Sequence, residues 1–566
     1  MALALGAALF TFLWTRPEPV PRVSNYVQLT HDGKQKYLVG TEGSRLYLYL
    51  YGSDYQGMAE MSLSGGEPRP VSILPSTNMS PLVLSEDGSD LLVVDGAGAR
   101  LTMRAKHGAP AKGPLWSVPV LGGSPRRLGD TEGQDAAWSS DGKMLAYCNG
   151  GQVFVAKADG TEPRKLVTMG KSPAFVGDPV WSPDGTKLRF DAQESLGSPP
   201  ILLWEVSVDG TGLHRLLPGW NKPTDWECCG KWTASGRYFI FRSRGEIWAL
   251  PRKGGLLHSE PKPVQLTSSP PGLATPLPSN DGKKLFVVGR TLHGELTRYD
   301  FKSGQLSPFL GGISAEMVAF SKDGQWVTYV SYPEGTLWRS KADRSERLQL
   351  TFGPDHAMVP RWSPDGKTIL FGSLTTAVKP ARIYEVSAEG GTPRLLLPDD
   401  PQPQQDPNWS PDGSKIVFGG SAHDATSTIR ILDLTTRQVS TLPGSQTLTS
   451  PRWSRDGRYI VAMPGDLSAL LRFDLQTQKW SELAKGSFSW LSWSKDGQWI
   501  YVLSDVSAAV VRVRLGDGKT ERAVDLKNFV LAGLWSSGLA LAPDDSPLLL
   551  RDAGTQDVYA LDWEEP

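Results

Sequence analysis

Cysteine and histidine are scarce in this chain: three of the first, Cys148, Cys228 and Cys229, and seven of the second in 566 residues. Three cysteines cannot build the disulfide framework on which small secreted domains depend, and they leave the redox compartment open. His31, His107, His214, His258, His293, His356 and His423 are scattered, with no pair at ligand spacing, so no metal site and no cofactor are expected. Charge of one sign is missing too. Lys plus Arg number 59 against 60 Asp plus Glu, a formal net charge of −1, which supplies no overall field to gather nucleic acid. There is no G-x-S-x-G elbow and no strand–helix alternation to carry a Ser-His-Asp triad. On these absences the chain reads as one that is not an enzyme and has no catalytic residues.

Long apolar runs are also few. The one at the start, MALALGAALFTFLW (1–14), is shorter than the about 20 residues a full span needs. It is read as a short hydrophobic helix, a membrane anchor or signal-like segment, followed by a Pro-rich stalk over 15–25. With that anchor the bulk of the chain is expected to be extracytoplasmic, that is, periplasmic. A buried N-terminal helix is the alternative.

What is abundant is punctuation, with 60 glycines and 44 prolines, and tryptophan, with 20. DPVWSPDGTKLRF at 178–190 returns as DPNWSPDGSKIVF at 406–418. Aligned on the acid of this phrase, the units fall at Glu42, Asp87, Asp141, Asp184, Ser235, Asp281, Asp323, Asp365, Asp412, Asp456, Asp496 and Asp544. The average spacing of about 46 residues is that of a propeller blade of four strands. Around each phrase apolar residues alternate with period two, and Asp-Gly or Gly-Gly pairs supply the positive φ that tight hairpins need. The Asp bonds backbone amides two residues on while Pro presets φ, so the phrase reads as a turn rather than a catalytic site. Three residues before the acid stand Trp138, Trp181, Trp232, Trp362, Trp409, Trp453 and Trp493, which are expected to pack between blades.

The fold class is therefore all-β, a tandem β-propeller of about twelve four-stranded blades after the short N-terminal helix. Rings carry about 4–8 blades, so two rings of about six are expected, at 26–270 and 271–566. YVQLT (26–30) resembles the last strand of other units, such as PVQLT (263–267), while the chain ends one strand short, so strand 26–30 is placed to complete the final blade. A second path has the later ring inserted in the earlier one, with both termini in the first ring.

These repeats resemble TolB-type, WD-repeat-like propeller repeats over residues 26–566. VSNYVQLTHDGKQKYLVGTEGSRLYL, ECCGKWTASGRYFIF (227–241) and LLLRDAGTQDVYALDWEEP are similar to the propeller part of acidobacterial membrane-bound winged-helix transcriptional regulators. That resemblance implies the sensor half of such a regulator, without its DNA-binding domain in this chain.

Candidate binding residues are few. Asp178 and Asp406, each before a proline at the start of an innermost strand, should face a channel mouth, where they suit a cation or a basic ligand; turn capping explains them equally well. Cys228 and Cys229 are either a redox-responsive vicinal pair, a soft-metal site, or inert buried thiols, the commoner use. The expected function is a membrane-anchored module binding a protein or small ligand on a propeller face. Alternatives are the sensor half named above and an enzyme with a site assembled across blades.

Overall fold

A computed structural model describes residues 20–566 apart from 52–54, 77, 97–111, 171–174, 194–200, 221–226, 253–260, 269–271, 354, 375–380, 421–426, 505–506, 528 and 534–537. The expected N-terminal helix and most of the stalk lie outside these residues. Among the described residues no helix is long and apolar enough to cross a membrane. They form forty-eight strands, β1 (Arg22–Gln28) to β48 (Thr555–Glu564), numbered in chain order. Twelve four-stranded antiparallel sheets result, the expected all-β tandem propeller.

Burial grades across each sheet. Second strands such as β43 (Trp499–Ser504, WIYVLS) are buried almost throughout, because blades cover both of their faces. Outermost strands such as β37 (Val439–Thr441, VST) are exposed. The core is accordingly divided between blades. One buried cluster joins Val153 and Val155 to Trp181, Leu188 and Phe190 of the next sheet. Two others close the rings. Leu46 and Leu48 of the first sheet pack with Phe286 and Val558 of the sixth, and Leu296 and Leu548 of the twelfth pack with Ala315 and Val327 of the seventh. The result is two rings of six.

The recurring phrase is the turn between the first and second strand of a blade. Ser182 Oγ donates to Asp184 Oδ1 at 2.6 Å, Asp184 Oδ1 accepts the Thr186 amide at 3.1 Å, and Ser182 Oγ accepts the Lys187 amide at 2.9 Å. Gly185 supplies φ 70°. Ser410, Asp412, Ser414 and Lys415 repeat the pattern. The serine is thus as much a part of the turn as the acid.

The hydroxyl is also the leading reason that the carboxyls of Asp87, Asp141, Asp184, Asp281, Asp323, Asp365, Asp412 and Asp496 lie below their usual pKa of 3.8, with Asp412 at about 2. A folded pKa below the unfolded one contributes stability above the unfolded value and loses it as pH falls through the folded one. Denaturant midpoints are therefore expected to hold down to roughly pH 4 and then decline steeply toward pH 2. A midpoint unchanged between pH 5 and pH 2 contradicts this.

The second ring is inserted in the sixth blade of the first, between β23 and β48, the path that leaves both termini in the first ring. β22 (Gly272–Pro278) and β23 (Lys284–Thr291) would fall in the second unit if the chain divided near 270, yet they form a sheet ordered β1-β48-β23-β22. Residues 22–25, expected in the stalk, are part of β1, which pairs with β48 from Arg22↔Glu564 to Gln28↔Tyr559. The twelfth sheet mirrors this arrangement. β24 (Gly294–Asp300) and β25 (Gln305–Pro308) are its outer strands, while β46 (Ala540–Leu541) and β47 (Pro547–Asp552) are its inner ones. The chain therefore enters the second ring between Thr291 and Gly294 and leaves it between Asp552 and Thr555. The two crossings run side by side, with Thr291 opposite Thr555, Gly294 opposite Asp552, and the Ala553 amide donating to His293 O at 3.0 Å.

Candidate functional site

In most blades the innermost strand carries one irregularity at the same place. The register with the second strand slips between Gly177 and Val180, Cys228 and Lys231, Met358 and Arg361, Gln405 and Asn408, and Thr449 and Arg452. Inside these bulges Asp178 (φ 45°), Cys229 (φ 63°), Val359 (φ 49°), Asp406 (φ 52°) and Ser450 (φ 54°) take the left-handed conformation. For non-glycine residues this costs energy and re-aims the neighbouring side chains. Three of the four residues singled out from sequence, Asp178, Asp406 and Cys229, thus hold one equivalent position. Two residues on, the side chain faces an axial funnel; three residues on stands the tryptophan.

The funnel of the second ring has a volume of about 610 Å³ and is lined by all six of its blades. Its wall includes Trp362, Trp409, Trp453 and Trp493, with Lys322, Arg361, Arg452, Arg455 and Lys495 set against Asp323 and Asp545. Asp406 lies behind it. Its carboxylate is 2.7 Å from Arg452 Nη1 and 3.9 Å from Arg361 Nη2. Arg452 is buried, and its Nε has no hydrogen-bond partner among the described residues. Burial, and then the charge of Arg452, press the Arg361 pKa down to about 9 against the pull of Asp406; it stays cationic at neutral pH. One acid thus anchors two cations, which is the reverse of a cation site at Asp406.

The first ring's funnel has a volume of about 570 Å³ and is nearly neutral, with Trp138, Trp181 and Trp232 beside serines, Glu86 and Lys231. All seven repeat tryptophans therefore serve two purposes, blade packing and funnel wall. Sequence reasoning assigned them only the first. The packing role is direct in three cases. Trp181 Nε1 donates to Ala137 O at 3.1 Å, Trp362 Nε1 to Ala319 O at 3.2 Å, and Trp409 Nε1 to Arg361 O at 3.3 Å, each on the preceding blade.

At the bulge level of the first ring stands a different group. The Asp178 amide donates to Asp135 Oδ2 at 2.8 Å. Asp191, in the middle of β15 (Lys187–Gln193), is buried, and its Oδ2 accepts the Cys229 amide at 3.3 Å. Burial, then the Asp178 charge, push the Asp191 pKa well up, against the Cys229 amide. Cys228 and Cys229 are joined as a vicinal disulfide. Cys148 is a free, buried thiol whose pKa is raised by burial and by Asp135, Asp178 and Asp191. Sequence reasoning missed Asp135 and Asp191. A signal for Asp191 existed: Phe190-Asp191 stands where sister units have Phe371-Gly372 and Phe418-Gly419.

Comparison with known proteins finds a similarity to TolB-type propeller repeats in part of the chain. A family profile described as the TolB beta propeller domain matches residues 313–539. The chain is 26% identical over 235 residues to the uncharacterized peptidase YuxL of Bacillus subtilis (strain 168), a match covering 39% of this chain and 34% of that protein. It thus spans about a third of the length of this curated relative. Similar solved structures include a putative TolB from Agrobacterium tumefaciens (20% identity, TM-score 0.38, 46% of this chain and 99% of that one). The tricorn protease is another (13% identity, TM-score 0.32, 91% and 54%). The YuxL match corrects the expectation that the chain is not an enzyme, because the sequence it shares is found in a protein named as a peptidase. Absence of an elbow motif in one chain was too narrow a basis for that expectation: propeller repeats carry no catalytic signature of their own, whatever they serve.

Proposed function

We propose that this chain is a protein-binding double propeller that holds polypeptide substrate for peptidase-like chemistry, with the second ring's funnel taking acidic segments or a free C-terminal carboxylate. The observation that carries the reading is the wall of that funnel, where tryptophans supply flat apolar surface and five cations face two acids. Cations held at a concave, partly desolvated surface attract carboxylates more strongly than they would in open water. The TolB-type repeats and the peptidase name of YuxL support the reading. The proposal places the rings in an extracytoplasmic compartment, where the Cys228–Cys229 disulfide would persist.

The test is fluorescence anisotropy with unstructured peptides of equal length, acidic or basic, with free or amidated C-termini. Acidic, free-ended peptides are expected to bind best. Arg361→Gln combined with Lys495→Gln is expected to weaken them about tenfold, or 1.4 kcal/mol, and added salt to do the same. Mass spectrometry of the same mixtures reads hydrolysis. Equal binding of acidic and basic peptides by parent and variant would sink the proposal.

A further inference from the structure

We infer that the bulge level of the first ring, between its fourth and fifth blades, holds a redox-gated site for a soft divalent cation of the zinc class, made by Cys228 and Cys229 once their disulfide is reduced, together with Asp191. The donor atoms of the three residues lie within 4.8 Å of one another. A tetrahedral ion with M–S of about 2.3 Å and M–O of about 2.0–2.2 Å needs donors roughly 3.5–3.8 Å apart, so small side-chain movements suffice. Asp191 is 1% exposed and lies against a second carboxyl, Asp178, with which it shares a hydrogen bond. Two carboxyls meeting beside the cysteine pair concentrate negative charge that a bound cation would relieve.

The fold builds the site from two blades. Asp191 is fixed by pairing with Gly177 and Leu203 in the fourth sheet, while Cys228 and Cys229 enter on β18 (Cys228–Trp232), the first strand of the fifth. The bulge at Cys229 turns its amide onto Asp191 Oδ2, so oxygen and sulfur are aligned before any metal arrives. Cys228 is buried and Cys229 half-buried, which gives a reductant access to one sulfur. Two thiolates and one carboxylate suit zinc-class ions and discriminate against magnesium and calcium, which prefer oxygen donors alone.

The chemistry balances as follows. A dithiol reductant attacks the Sγ–Sγ bond and leaves as its own disulfide, its two hydrogens ending on the two cysteine sulfurs. The cation then forms two M–S bonds and one M–O bond, and the two thiol protons pass to solvent. Thiol–disulfide exchange with a small-molecule disulfide, which takes the two electrons, and two protons from solvent, and leaves as two thiols, re-forms the Sγ–Sγ bond and ejects the ion, because a disulfide sulfur has no thiolate to offer. The site is separate from the peptide-holding funnel and does not depend on that reading.

The experiment uses the full chain, oxidised and dithiol-reduced, titrated with Co2+ and then Zn2+. The reduced protein is expected to take up one Co2+ with thiolate-to-cobalt absorption that Zn2+ displaces, and the oxidised protein none. Asp191→Asn is expected to weaken uptake by about tenfold or more, the lower end of what losing even an outer partner costs. Cys228→Ser should abolish the absorption or reduce it to that of one thiolate, and it serves as the arbiter if Asp191→Asn does not fold. Cys148→Ala should leave uptake unchanged. No cobalt–thiolate band on reduction, equal uptake by the oxidised protein, full uptake by the Asp191 or Cys228 variant, or uptake that follows Cys148 overturns the inference.

Discussion

Removing residues 555–566 is expected to abolish cooperative folding of the first ring. β48 is not an edge strand; it is bonded to β1 on one side and to β23 along its length on the other. Val558 and Leu561 are fully buried, and Ala560 and Trp563 nearly so. The same strand supplies Asp557, which accepts from Thr30 Oγ1 at 2.8 Å and, with Asp32, holds the buried Lys36 ammonium. Truncation strips the core between the sixth and first blades and leaves that ammonium with less charge to balance it. A milder form, Leu561→Ala, is expected to cost about 2–5 kcal/mol. Circular dichroism and a denaturant titration read both; a truncated chain melting as one transition at the parental temperature refutes the closure described here.

Trp181→Ala should be the most damaging of the tryptophan replacements. The side chain is buried against Ala137, Leu188 and Phe190, and its indole N–H bridges to the Ala137 carbonyl of the neighbouring blade. Deleting a buried tryptophan costs about 3–5 kcal/mol, and the orphaned carbonyl adds to it. Trp181→Phe separates the terms, since it keeps most of the apolar contact and loses about 1 kcal/mol of hydrogen bond. Trp409 occupies the same repeat position but is only half-buried, so Trp409→Ala is expected to cost less. Equal midpoints for the Trp181 and Trp409 variants would show that burial at the blade interface does not set the energetics.

The blades were legible in the sequence because each carries its own local chemistry. Asp184 with Gly185, or Asp412 with Gly413, form a turn from neighbours a few residues apart, and a pattern that local survives repetition. The ring count followed from spacing. The path of closure was legible in part: YVQLT reads like an outer strand and the chain ends one strand short, which is the pairing of β1 with Thr555–Glu564. The ring to which β22 and β23 belong was not, because nothing in their local pattern says that their partner is β48. The site was legible only in part. Asp178, Asp406 and Cys229 drew notice through their neighbours, yet their common bulge geometry is a matter of backbone register. The charge of the second funnel is assembled from five blades, so Arg361 and Arg452, 91 residues apart, look like two unrelated surface arginines until the ring closes.

The paired crossings between the rings bear on synthesis. β24 and β25 leave the ribosome early but wait for β46 and β47, and β22 and β23 wait for β48. About 250 residues separate the waiting strands from their partners, and at 5–20 residues per second that interval is on the order of tens of seconds. During it two incomplete sheets have bare edges on the nascent chain, the state in which aggregation is most to be feared, and only the emergence of β48 ends it.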